Sequence, residues 1–368
     1  MPFREALPRL GYGPKPLRAG ATQIREDLMQ DAKERPVLLV GSVPLGSSRA
    51  VFEAVGTKLG KLIKRIPDGE TGTRKDWIVW QADVFENAKG LEPGSTRELQ
   101  GGYHFILYKV KPGETVKFGP LGYATAAINS YDDFKRARSE GKIPSGTRFQ
   151  VSLPTPIAVV MTFTEPDAIQ HIWPIYEKRL NEEVAEIAAA IPHRDLAIQW
   201  DIAAEICFVL ENPEMVNVIP MEVLVASIAR ASEHAPVEVE LGLHLCYGDP
   251  GHKHVVEPKD TELMVDFTNK LVAAIKHPIA WVHMPVPRER EDVAYFAPLK
   301  GLKIDPRTEL YLGLVHRTDG VAGARRRLEA AKQVVTNFGV ATECGFGRRP
   351  PETVPDLIEL HREVARAE

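Results

Sequence analysis

Apolar residues fall in short runs along this chain, and between the runs they recur at helical spacing. Residues 37–40 (Val-Leu-Leu-Val) form the first run, stopped by Gly41-Ser-Val-Pro44. Continuous apolar runs of this kind mark strands buried on both faces, as in parallel sheets. Further runs at 61–67, 149–153, 196–201, 239–246, 279–284, 310–316 and 340–344 predict seven more strands. Helical patterns over 48–59, 74–87, 169–190, 222–235, 260–276, 320–335 and 355–365 lie between them. Thr164-Glu-Pro-Asp167 reads as the start of the third, with Thr as N-cap, Pro just inside and a kink expected at Pro174. Residues 90–146 are less regular, with antiparallel strands expected at 103–110, 116–118 and 123–128 and a short helix at 132–139. Residues 1–35, rich in Pro, Gly and Arg before a polar helix at 22–34, are expected to pack outside the main domain.

Eight strands alternating with helices predict a single α/β domain over 36–368, a (β/α)8 TIM barrel with an insertion at about 90–146 between strands two and three. Ser42, Glu70, Thr155, Asp201, His244, Cys246, His283, His316 and Cys344 all fall at or just past C-terminal strand ends. Barrel active sites are built at that face.

The composition, 44% hydrophobic and 26% charged, is that of an ordinary soluble protein. A net charge of −4 without blocks of like charge argues against nucleic-acid and membrane partners. No apolar run approaches the roughly 20 residues of a membrane span. Met1-Pro-Phe-Arg-Glu5 lacks the order of a secretory leader, and three cysteines give no disulfide framework, so a cytoplasmic protein is expected.

His244 and Cys246 lie two apart on one predicted strand and so face the same side. Cys344 ends another strand at the same expected mouth. Imidazole plus two thiolates is a zinc set that leaves a position open for substrate. His283, on the sixth predicted strand, either binds that metal or orients its neighbours by hydrogen bonds. Cys207, with no partner in the pattern, reads as a small buried hydrophobe. His252 and His254 read as a solvated loop pair, and Glu205 as helical surface. Glu70 and Asp201 are placed to hold a substrate ammonium or to pair with Arg74 or Arg348. Arg348 and Arg349 face an anionic substrate tail or solvent. A substrate thiol at such a metal is deprotonated, and His316 is the expected proton donor to the leaving group.

With these residues in view, the chain resembles the catalytic barrel of the cobalamin-independent methionine synthase family, in the wider group that contains uroporphyrinogen decarboxylase. Gly41-Ser-Val-Pro44 is similar to the family's Gly-Ser-Phe-Pro, Asp68-Gly-Glu70 to His-Gly-Glu, Ser152-Leu-Pro-Thr155 to Gly-Pro-Val-Thr, and Gln199-Trp-Asp201 to Gln-Ile-Asp. His244-Leu-Cys246 resembles the zinc-binding His-Met-Cys, and Glu343-Cys-Gly345 the Asp-Cys-Gly that supplies the last cysteine. The resemblance implies substrate contacts at Ser42, Glu70, Thr155 and Asp201, Zn2+ on His244, Cys246 and Cys344, and a catalytic His316. It departs where the family's strand-six glutamate ligand is replaced by His283, where Asp-Glu-Pro becomes Asp201-Ile-Ala, and where residues 248–259 are inserted. A single barrel without the family's N-terminal sister barrel is expected.

The expected function is zinc-dependent methyl or alkyl transfer to a small-molecule thiol held as zinc-bound thiolate. The donor is open, a folate among the candidates. Two other readings stand beside it: a metal-free decarboxylase or lyase of the uroporphyrinogen decarboxylase kind, and a non-catalytic metal or thiol carrier on the same barrel.

Overall fold

The computed structural model describes residues 34–366 except 249 and 251–253. The lead-in expected at 1–35, with its helix at 22–34, therefore falls almost wholly outside the described residues, as does His252. The described residues form a mixed α/β fold around a curled parallel sheet. Its strands are β1 (Arg65–Pro67), β4 (Arg148–Pro154), β5 (Leu196–Ile202), β6 (Glu240–Leu245), β7 (Ile279–Pro285), β8 (Glu309–Gly313) and β9 (Gly339–Val340), paired in that order. A separate antiparallel hairpin joins β2 (Leu91–Leu99) to β3 (Tyr103–Val110).

All seven residues of β5 are buried, as a strand covered on both faces requires. Two observations show the curl. Arg65 on β1 reaches Glu240 at the start of β6 and lies 2.8 Å from Glu309 at the start of β8, with its guanidinium 4.4 Å from the Trp281 ring of β7. These strands are not neighbours of β1, so the sheet must bend around a shared interior. Val37, in addition, bridges in parallel to Ile63 on one side and Val340 on the other.

The expected strand at 37–40 appears only as that bridge. The carbonyls of Leu39 and Val40 accept from side chains instead, Gln150 Nε2 at 3.2 and 2.9 Å and Gln199 Nε2 at 2.6 Å from Val40. Interior amides thus satisfy the backbone that a ladder would otherwise pair.

Other differences have local causes. Residues 123–128 are not a strand but the first turns of helix Tyr123–Ser139, whose buried Tyr123, Ala124, Ala127, Tyr131 and Phe134 keep helical spacing. Thr164 does not cap the helix expected behind it, which begins only at Ile169, after Ala168, with no side-chain cap. The capping threonine belongs to an earlier helix and is Thr155, whose hydroxyl accepts from Ala158 N–H and which is followed by Pro156. Helix Pro156–Phe163 behind it is buried all round, so it offers no amphipathic period to read. The expected helix at 74–87 is broken into 3₁₀ turns at Gly72–Asp76 and Val79–Gln81 and a short helix at Ala82–Glu86, with Trp77 at φ 55° between them. Residues 341–344 and 314–316 leave their strands early and become loop.

The hairpin lies within the irregular segment expected at 90–146. It turns at Gly101 and Gly102, both at φ 80°, a region that side-chain-bearing residues avoid. Phe105 is buried on its inner face, edge-on to Phe163 at 5.4 Å. No helix among the described residues is long and apolar enough to cross a membrane.

Candidate functional site

Parallel pairing places Asp201 of β5 opposite His244 of β6, and His244 opposite His283 of β7. Residues in register share a face, so these three side chains form a row across the sheet. Cys246 continues the line past β6, its N–H bonded to Ile202 O at 3.0 Å. Cys344 comes from the loop after β9. Ser42 latches that loop: its carbonyl accepts from Phe346 N–H at 2.6 Å and its hydroxyl from Gly347 N–H at 3.2 Å.

The result is one cluster in which the ligand atoms of His244, Cys246 and Cys344 lie within 4.8 Å of one another. Cys344 is the activated thiol. A hydrogen bond from Cys246, with His244 and Arg348 alongside, holds its pKa well below the ordinary thiol range despite burial. The donor set fits Zn2+, which takes imidazole and thiolate together.

His283 takes no part in this cluster. Fully buried, it lies with Nδ1 2.7 Å from His244 Nδ1 and Nε2 3.0 Å from the Thr342 carbonyl. Burial, with His244 beside it, pushes its pKa well below the ordinary imidazole range, so the ring is neutral.

A cavity of about 120 Å³ opens beside the cluster, bordered by His244, Cys246 and Cys344. Its polar end holds Ser42, Glu70 and Asp201, while Trp77, Leu99, Tyr103, Phe105 and Phe208 give an apolar wall. Burial first, and then repulsion from Asp201, raises the Glu70 carboxyl well above the ordinary range; burial raises Asp201 to about 7. Neither acid forms an ion pair among the described residues, because Arg74 is taken by Asp68 at 2.6 Å. Glu70 also sits at φ 46°, a left-handed conformation that costs on the order of 1 kcal/mol or more without glycine. Gly41 makes room for it: a Cβ there would stand 3.2 Å from Glu70 Oε2. Apart from Glu70, Trp77 alone has positive φ among the described non-glycine residues, and both border the cavity.

Thr155 and His316 lie away from the cavity lining. Thr155 is a buried helix cap. His316 donates Nε2–H to Val286 O at 2.9 Å, and burial, then Arg327, push its pKa down to about 3. Its 3.4 Å approach to Glu343 is thus not an ion pair. His254 is the cation there. Expected to be solvated, its side chain is only 8% exposed and lies 2.9 Å from Glu343. Burial alone would lower its pKa, but Glu343 and Glu257 raise it to about 9. Its pairing across nearly ninety residues of sequence left no local signal.

Glu205 is also placed differently from expectation. It is fully buried at the start of a π-helix, Glu205–Leu210, rather than on a helical surface. Cys207, in the same turn, is buried as expected, bonds to Ala203 O at 3.0 Å and touches the cavity. Arg348 borders the cavity, 4.0 Å from Cys344 Sγ.

No family model matches the chain, and no curated protein matches it in sequence. Solved structures do match its fold. One is a B12-independent methionine synthase from Shewanella sp. W3-18-1 in complex with selenomethionine, at TM-score 0.59 and 16% identity over 90% of this chain and 97% of that one. Another is a putative vitamin-B12 independent methionine synthase from Listeria monocytogenes, at TM-score 0.51 and 17% identity over 86% of both chains. The fold is similar to that of B12-independent methionine synthases.

Proposed function

We propose that this protein is a zinc-dependent transferase that moves a methyl or other alkyl group to a small thiol, in the manner of the B12-independent methionine synthases whose fold it shares. The observation that carries the reading is the convergence of His244, Cys246 and Cys344 within 4.8 Å at the edge of the cavity. In this reading residues 36–368 form one (β/α)8 barrel, with the segment around Val37 standing between its edges and the hairpin covering its mouth.

His244, Cys246 and Cys344 would hold Zn2+, which supplies a Lewis acid that lowers a thiol's pKa. The chain's residues do the rest. Glu70 and Asp201 face each other with no ion pair to either among the described residues, which suits them to a substrate ammonium. Ser42 borders the same end and holds the loop carrying Cys344. The apolar wall excludes water from the carbon being transferred. The proton for the leaving group would come from the cluster of His316, Glu343 and His254, where it rests on His254, and would reach the cavity through water because none of the three borders it. Thr155 acts through the helix it caps.

The test is zinc per chain on protein purified without added metal, followed by methyl transfer from a panel of donors to homocysteine and simple thiols. About one zinc per chain and alkylation of a thiol are expected. Near-zero zinc, unchanged in Cys246→Ser and Cys344→Ser, would overturn the reading.

A further inference from the structure

We propose that His283 is a positioning residue, which fixes the ring tautomer of His244 and ties the two ligand-bearing segments together, rather than a metal ligand; this rests on the zinc reading above. The argument is one of donors and acceptors. The Thr342 carbonyl can only accept, so the 3.0 Å contact places a hydrogen on His283 Nε2. The ring is fully buried with no ion pair to a carboxylate among the described residues, so it carries a single hydrogen and leaves a lone pair on Nδ1. The 2.7 Å contact to His244 Nδ1 therefore needs its hydrogen on His244. With Nδ1 protonated, His244 keeps its lone pair on Nε2, and that nitrogen alone is free to bind a metal.

The same ring also joins the two halves of the cluster. His244 stands on β6, and Thr342 is two residues before Cys344, to whose carbonyl its hydroxyl donates at 2.7 Å. One side chain thus spans from the imidazole ligand to the loop carrying the second thiol. Both ring nitrogens are used in doing so.

Three measurements test this. Long-range ¹H–¹⁵N spectra of the metal-free protein should show His244 as the Nδ1–H tautomer and His283 as Nε2–H. X-ray absorption of the zinc protein should show two sulfurs and a single imidazole. Zinc affinity by chelator competition should fall about 10- to 100-fold in His283→Phe, which keeps a ring but no acceptor. It should be largely restored in His283→Asn, whose amide oxygen can accept from His244; thermal melts confirm that each variant is folded. An Nε2–H tautomer at His244, a second imidazole on zinc, or undiminished affinity in folded His283→Phe would overturn the proposal. If the wild type binds no zinc, the proposed function fails, while the tautomers of the metal-free protein still decide this inference.

Discussion

Glu205 offers the sharpest test of the energetics. It is fully buried, and no described residue donates a hydrogen bond of good geometry to either carboxylate oxygen, although the Thr155 hydroxyl faces it. Burial raises its pKa from 4.5 to about 7. A carboxyl whose folded pKa lies above its unfolded value binds protons more tightly in the fold. Stability must then fall as pH rises from about 4.5 to about 7, and stay reduced above that window. At 1.36 kcal/mol per unit, the loss between pH 5 and pH 8 is about 2.5 kcal/mol. Glu205→Gln cannot ionise and should lack this component. Packing and hydrogen-bonding costs of the amide are the same at both pH values, so they cancel in the comparison. Urea unfolding of wild type and variant at pH 5 and pH 8 measures it: the variant's stability relative to wild type should rise by about 2.5 kcal/mol between the two. A relative stability that does not change with pH would refute the reasoning.

Other outcomes follow from the same geometry. Cys344→Ser should abolish stoichiometric zinc binding, read by metal analysis, because serine replaces an activated thiolate with a hydroxyl that stays protonated. Arg65→Met should cost about 1.5–3 kcal/mol in chemical denaturation, since it removes the buried cation shared by Glu240 and Glu309 while Arg148 and Lys64 still pair with those acids. Phe105→Ala should lower stability by about 3–5 kcal/mol and open the apolar wall, read as a raised KM for the alkyl donor. Gly41→Ala should weaken binding of an amino-bearing thiol, because its Cβ would stand 3.2 Å from Glu70 Oε2.

Much of this protein was legible in its sequence because the signals were local. Continuous apolar runs marked β4 to β8, and the two-residue spacing of His244 and Cys246 set both on one side of a strand end. What the sequence could not give were relations across distance. Nothing near Glu343 announces His254, and nothing near Arg65 announces Glu240 and Glu309. Residues 123–128 were apolar enough for a strand, and only packing against neighbours chose the helix. The strand at 37–40 was expected from its apolarity, yet the amides of Gln150 and Gln199 took the carbonyls that a ladder would have used. His283 shows the division most clearly. Its residue type allowed a ligand or an orienting partner equally, because imidazole chemistry serves both. The sequence determined which side chains reach the strand ends; the tertiary structure decided their partners, because a hydrogen bond or a ligand set requires atoms a few ångströms apart, and only the folded chain brings β6, β7 and the loop after β9 to one point.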